Sequence, residues 1–210
     1  MKVVHSGIDL SKFKYKSTGV LRKEFRVPDT TSIIATVAAI DPHKDYFTFV
    51  DTAAILLEKQ TNLHFFIIGG DGGEATAIQT YIEKKGLQSF ITSIGFRKDI
   101  PKILPEVDVF LFTSKEEGLG TSVLDALACK VPIVTTNAGG IPEMITPQKN
   151  GLLAPIGDSL QLAKHVTTIL SKKEIANNFI ENGAVVVQSF DKAKTAKKTY
   201  DIYRNCLSTL

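Results

Sequence analysis

Residues 107–136 read VDVFLFTSKEEGLGTSVLDALACKVPIVTT. The opening run, VDVFLFTS (107–114), is apolar almost without interruption, as in a strand covered on both faces. GTSVLDALACK (120–130) has apolar residues at helical spacing, and PIVTT (132–136) reads as a second strand. A glycine-containing loop separates the first strand from the helix. Two strands joined through a helix are the unit of a parallel sheet, because a parallel pair needs a long crossover.

The same alternation extends outward on both sides. SIIATVAAI (32–40), LHFFIIGG (63–70), FITSIGF (90–96) and GLLAP (151–155) read as further strands. YFTFVDTAAILLEK (46–59), ATAIQTYIEKKG (75–86) and DIPKILPE (99–106) read as helices, and IPEMI (141–145) as a helical turn. The pattern predicts a doubly wound, Rossmann-like α/β domain: a parallel sheet of about six strands with helices on both faces and further helices at the C-terminus. Helices are predicted over 158–173, with Leu160, Ala163, Val166 and Leu170 on one side, and over 171–183, ending at Gly183. A last helix over 191–207 aligns Ala193, Ala196, Tyr200, Tyr203 and Leu207, a stripe expected to pack on the domain or a neighbour. Residues 1–30 are turn-rich, without a strand, and read as a linker leading in. Residues 31–187 form the expected Rossmann-like domain and 188–210 the C-terminal helix.

Composition limits the function classes. The 210 residues carry 25 Lys+Arg and 22 Asp+Glu, a net charge of +3 that does not point to nucleic acid. No apolar run is long enough for a transmembrane helix, and MKVVHSGIDLSKF lacks the apolar core of a signal peptide. Cys129 and Cys206, in separate periodic segments, read as buried thiols of a reducing, cytoplasmic compartment. His5, His43, His64 and His165 are scattered, which argues against a metal site. Gly69-Gly70-Asp71-Gly72-Gly73 is out of register with G-x-G-x-x-G and follows the second strand, so it reads as a tight turn rather than a dinucleotide loop.

Ligands of open parallel sheets bind beyond the carboxyl ends of the strands. There, Gly118 and Gly120 allow close backbone approach, and the N–H groups of Gly120, Thr121 and Ser122 open a helix whose N-terminus favours an anion. The alternative is a plain glycine turn capped by Thr121 or Ser122. Glu117 before the helix and Asp125 inside it would repel a phosphate, but they suit hydrogen bonds from hydroxyls such as those of a sugar.

Residues 114–143 resemble the signature of family 4 (group 1) retaining glycosyltransferases of the GT-B fold. Glu117, seven residues, Asp125, Pro132 and Gly139-Gly140-Ile141-Pro142-Glu143 follow the order of that signature. GFRKDIPKILPEVDVFLFTS (95–114) is similar to the family's base-binding loop and following strand, and AAIDPHKD (38–45) to its G-R-L-x-x-x-K-G element. SGIDLSKF (6–13) is similar to its interdomain segment, and QSFDKAKTAKKTYDIY (188–203) to its C-terminal helix. The resemblance implies the nucleotide-sugar-binding half of a two-domain hexosyltransferase, inactive without an N-terminal acceptor domain. Glu117 would bind donor sugar hydroxyls and Asp125 the ribose. Gly118, Leu119, Gly120, Thr121 and Ser122 would form the diphosphate loop, with Lys44 neutralising the charge. Gly95, Phe96 and Arg97 would embrace the base, largely through backbone. It implies no metal cofactor, no nucleic-acid partner, an acceptor that is a glycan or lipid-linked glycan, and membrane association only through the other half. Two positions depart from the pattern. Ala39 stands where the family has Arg, leaving Arg97, His43 or the other domain to supply a second cation, and Asp125 is one methylene shorter than the usual Glu. Two alternatives are a non-catalytic nucleotide-sugar-binding module and, third, a GT-B-like sugar-nucleotide epimerase.

Overall fold

The strands are short and rich in β-branched and aromatic residues, and all but the partly exposed edge strand β3 are largely buried: β1 (Ser32–Val37), β2 (Leu63–Ile68), β3 (Ile91–Ser93), β4 (Val109–Phe112), β5 (Ile133–Thr136) and β6 (Leu152–Ala154). In the computed structural model, which describes residues 3–13 and 17–207, they form one six-stranded sheet in the order β3-β2-β1-β4-β5-β6. Every pairing is parallel, and β1 and β2 are in register from Ser32↔Leu63 to Val37↔Ile68. The strand order reverses between β1 and β4.

Alternate side chains along each strand enter opposite layers. Ile34, Phe65, Ile67, Val109 and Leu111 pack under α2 (Tyr46–Leu57), α3 (Ala75–Lys84) and α6 (Ser159–Ser171). Ile33, Ala35, Phe66, Phe110 and Phe112 pack on the other face under α5 (Thr121–Ala128), Ile103 of α4 (Ile100–Ile103) and Val187 of α7 (Lys173–Val187). The predicted doubly wound α/β sheet is therefore observed. Its strands stop earlier than the apolar runs do, because residues such as Ala38 and Ile40 continue into loops; Ile40 makes only an isolated bridge to Asp71.

Residues 20–27 do more than lead in. They include α1 (Val20–Phe25), whose Leu21 is fully buried and whose first N–H groups, of Leu21 and Arg22, donate to the buried carboxylate of Glu106. Farther upstream, Ile8 bridges Asp191 in parallel: Ile8 N donates to Phe190 O and Lys192 N to Ile8 O, both at 2.9 Å. A Cβ on Gly7 would lie 2.6 Å from Thr195 Oγ1, so the segment runs this close only with glycine there.

Three helical expectations, and the expected burial of the two cysteines, are corrected. Gly183 does not end α7; the helix continues to Val187, and the glycine admits Leu127 of α5, whose Cδ2 would be 2.7 Å from an added Cβ. In α6 the buried side is Leu162, Ala163, Val166 and Ile169, while Leu160 faces out, because the core-facing stripe is rotated from the predicted one. In α8 (Lys192–Leu207) the predicted stripe is exposed, with Tyr200 at 64%, Tyr203 at 67% and Leu207 at 72%. The side nearer the domain carries Thr195, Thr199 and Ile202 instead. Cys129 is half-buried, and Cys206 is exposed on α8 rather than buried.

Phe110 is fully buried and stacks on Phe112 at 6.0 Å between ring centroids. Phe110→Ala is expected to lower stability by about 3–5 kcal/mol in urea denaturation. A loss below about 1 kcal/mol would contradict this packing.

Candidate functional site

The reversal between β1 and β4 opens a crevice at the carboxyl ends of the strands. The β1–α2 loop forms one wall and the β4–α5 loop the other, and three consecutive residues join them. Thr113 Oγ1 donates to the carbonyls of Lys44 and Asp45 at 3.0 Å, Ser114 Oγ to that of His43 at 2.9 Å, and Lys115 N to the same His43 carbonyl at 2.7 Å. Asp45, buried in a left-handed conformation, caps α2 by accepting from Thr48 N at 3.4 Å, accepts also from Thr48 Oγ1 at 2.7 Å, and pairs with Lys115 at 3.3 Å. The crevice encloses about 530 Å³ between His43, Lys115, Glu116, Glu117, Gly118 and Gly139.

Lys44 and Glu117 come together there. The Lys44 ammonium donates to Glu117 Oε1 and lies over the Phe112 ring, 5.4 Å from its centroid. Both side chains are largely buried, 16% and 8% exposed. Gly120 is the N-cap of α5, at φ 74°, and no side chain caps the helix, so Thr121 and Ser122 are not the capping residues of a plain turn. The first-turn N–H groups are left for solvent or a ligand. A Cβ on Gly120 would lie 2.7 Å from Ile141 Cδ1 and 3.8 Å from Glu117 Oε2, which places the Glu117 carboxylate beside this helix end. Gly118 has open space around it, and Leu119 packs partly into the core.

Gly139 and Gly140, quoted above only as part of a signature, build the site from below. Gly140 N donates to Glu117 O at 3.0 Å. A Cβ on Gly139, at φ 49°, would be 1.9 Å from Glu117 O, and one on Gly140 would be 2.1 Å from Gly118 O. Two backbones touch here, and no side chain fits between them.

Asp125 is not part of the Lys44–Glu117 pair. It lies one turn into α5, half-buried, in the field of Lys12 from the lead-in segment. Among the described residues its carboxylate has no hydrogen bond, and desolvation raises its pKa to about 6.

Gly95, at φ 69°, and an exposed Phe96 follow β3; Phe96, with Arg97, Ala39 and Gly70, borders an apolar cavity of about 280 Å³ that Gly95 does not line. Arg97 does not supply a cation to the crevice, which corrects one expectation. Its guanidinium makes a two-point pair with Asp99 at 2.8 and 2.9 Å and binds Glu24 of α1 at 2.8 Å. Asp99 and Glu24 hold the Arg97 charge more firmly than usual, and Arg97 in turn lowers the Asp99 pKa. His43 is engaged by Asp41. Gly118 and Gly120 were the readable sign of the open α5 N-terminus; the stitching by Thr113 and Ser114 and the Lys44–Phe112 contact had none.

The molecule is a Rossmann-like α/β domain with a lysine, a carboxylate and an uncapped helix N-terminus at its switch point. The family model for glycosyl transferases group 1 matches residues 18–186, and the chain belongs to that family. It is 30% identical over 183 residues to the glycosyltransferase EpsD of Bacillus subtilis, covering 87% of this chain and 48% of EpsD. It is 25% identical over 209 residues to the N-acetyl-alpha-D-glucosaminyl L-malate synthase of Bacillus anthracis, covering 99% of this chain and 54% of that protein. The chain thus spans about half the length of these relatives. Anabaena HepE, solved with UDP and glucose, superposes with a TM-score of 0.89 at 24% identity, over 100% of this chain and 57% of HepE. The C-terminal domain of LpcC from Francisella tularensis matches at 0.74 and 24% identity, over 87% of this chain and 97% of that domain.

Gly139→Ala is expected to cost at least about 1–3 kcal/mol, from backbone strain and collision with Glu117, and to lower the thermal midpoint. An unchanged midpoint would contradict the contact. For Asp125, the folded chain keeps a proton that the unfolded chain has lost between about pH 4 and pH 6, so this group's contribution to stability falls as pH rises through that window. Asp125→Asn is expected to stabilise the chain at pH 7 by about 2 kcal/mol and to flatten that part of the pH profile. Parallel profiles for the two chains would contradict a desolvated carboxylate.

Proposed function

We propose that this chain is the donor-binding half of a retaining hexosyltransferase. The observation that carries the reading is the meeting of Lys44, Glu117 and the uncapped N-terminus of α5 in one switch-point crevice. The diphosphate of a nucleotide sugar lies against the backbone of Gly120, Thr121 and Ser122, where the helix dipole and Lys44 offset its charge. Glu117 accepts from hydroxyls of the sugar. Asp125, whose carboxylate has no hydrogen bond among the described residues, accepts from the ribose hydroxyls. The base enters the apolar cavity beside Phe96, with Gly95, Phe96 and Arg97 meeting it through backbone. HepE supports this reading, since it was solved with UDP and glucose on the same fold.

The chemistry assigned to this half is leaving-group stabilisation. As the glycosidic bond to the diphosphate lengthens, negative charge grows on the phosphate facing Lys44 and the α5 N–H groups. Pre-oriented dipoles and one cation supply this without a metal ion. The leaving phosphate then assists deprotonation of the acceptor on the same face of the sugar, which retains the anomeric configuration. The acceptor, a glycan or lipid-linked glycan, binds a separate N-terminal domain, and transfer needs both halves. The work is done in the cytoplasm, with any membrane contact made through that other domain.

A second reading, a binding module without catalysis, is favoured by one observation. Ala39 occupies the place of the family's Arg, and neither Arg97 nor His43 is free to replace it. Thermal shift with UDP, GDP, ADP and TDP, with and without Mg²⁺, tests the site. One nucleotide is expected to stabilise the chain, by about 2.7 kcal/mol at one hundred times its Kd, independently of Mg²⁺ and not in Asp125→Ala. Stabilisation that requires Mg²⁺, or that survives in Asp125→Ala, would sink the assignment. Transfer by the two-domain protein separates the enzyme from the binding module.

A further inference from the structure

The cation of the crevice is already occupied by the chain's own carboxylate. Glu117 holds Lys44 by a direct contact, with both side chains largely buried, and its second oxygen lies beside the uncapped N-terminus of α5. The carboxylate therefore sits between the two positive features that a phosphate would use. It cannot retreat by moving its backbone, because Gly139 and Gly140 are packed against the peptide groups of Glu117 and Gly118. Only its side chain can turn. A second lysine on the crevice wall, Lys115, is paired with Asp45 and is half exposed.

We propose that Glu117 is an internal counter-ion, standing in the anion site when no donor is bound, and that this makes the crevice select a nucleotide sugar over the bare nucleoside diphosphate. The inference rests on the donor-site reading above. A phosphate that takes Lys44 leaves Glu117 as a buried carboxylate without a cation and close to like charge, which is unfavourable. An attached sugar offsets that by donating hydroxyl hydrogen bonds to the displaced carboxylate. A bare nucleoside diphosphate cannot. Once the sugar has been transferred, Glu117 loses those hydroxyls and competes again for Lys44, which favours departure of the nucleotide product. Glu117 thus acts on the diphosphate through Lys44, as a positioning residue, in addition to meeting the sugar.

The test is calorimetric titration of the 210-residue chain and its Glu117→Gln variant with UDP, GDP, ADP, TDP and inorganic pyrophosphate. Glu117→Gln is expected to bind the preferred nucleoside diphosphate about tenfold more tightly, since it keeps the side-chain shape and removes the competing charge. The gain is expected to vanish when Lys44→Met is added, a dependence that a general loosening of the loop would not produce. Glu117→Asp, with a shorter reach to Lys44, is expected to fall between the two and serves as the second variant if Glu117→Gln does not fold. Equal or weaker binding by Glu117→Gln, while the parent chain binds a nucleotide, overturns the counter-ion role and leaves the donor site standing. A gain that persists without Lys44 also overturns it. If neither the parent nor either Glu117 variant binds any of the five compounds, this inference falls together with the donor site.

Discussion

Three hydrogen-bonding residues at the end of β4 hold the site together. Thr113, Ser114 and Lys115 tie their strand to the carbonyls of His43, Lys44 and Asp45, across the point where the strand order reverses. Without these bonds, two loops on neighbouring strands would end independently, and their carbonyls would need water. With them, the Lys44 backbone is fixed relative to the Glu117 loop, and the two side chains meet over Phe112. Family membership and sheet order place the crevice; this stitch sets its width.

The site is costly in stability terms. It contains a desolvated carboxylate at Asp125, an uncapped helix end at Gly120, and two backbones in contact at Gly139 and Gly140. The first two oppose folding of the free chain, and the third tolerates no side chain at either glycine. Hydrophobic layers on both faces of the sheet, built on residues such as Phe65, Phe66 and Phe110, carry that burden. Binding sites commonly hold such uncompensated groups, because a ligand can satisfy them.

Much of the architecture was legible because buried parallel strands read as apolar runs. The helix faces were harder. In α6, Leu160 and Leu170 have the right spacing, yet Leu162 and Ile169 face the core, since two overlapping apolar stripes differ only by rotation about the axis. Gly183 looked like a stop signal, but the reason for it lies in α5, where Leu127 needs the space. In the site, Glu117 and Lys44 were both identifiable, but their mutual contact was not, because it joins loops 73 residues apart in sequence. Arg97 is the opposite case. It reads as a spare cation until Asp99 and Glu24 are seen around it.

The parallel bridge between Ile8 and Asp191 has a mechanical consequence. The strand-like segment entering at Ile8 and the helix leaving at Lys192 are bolted together by two backbone bonds and by the Asp9–Lys192 ion pair. Any displacement of the incoming segment at Ile8 is therefore passed directly to the first turn of α8, and so to the helix that carries the exposed Tyr200, Tyr203 and Leu207.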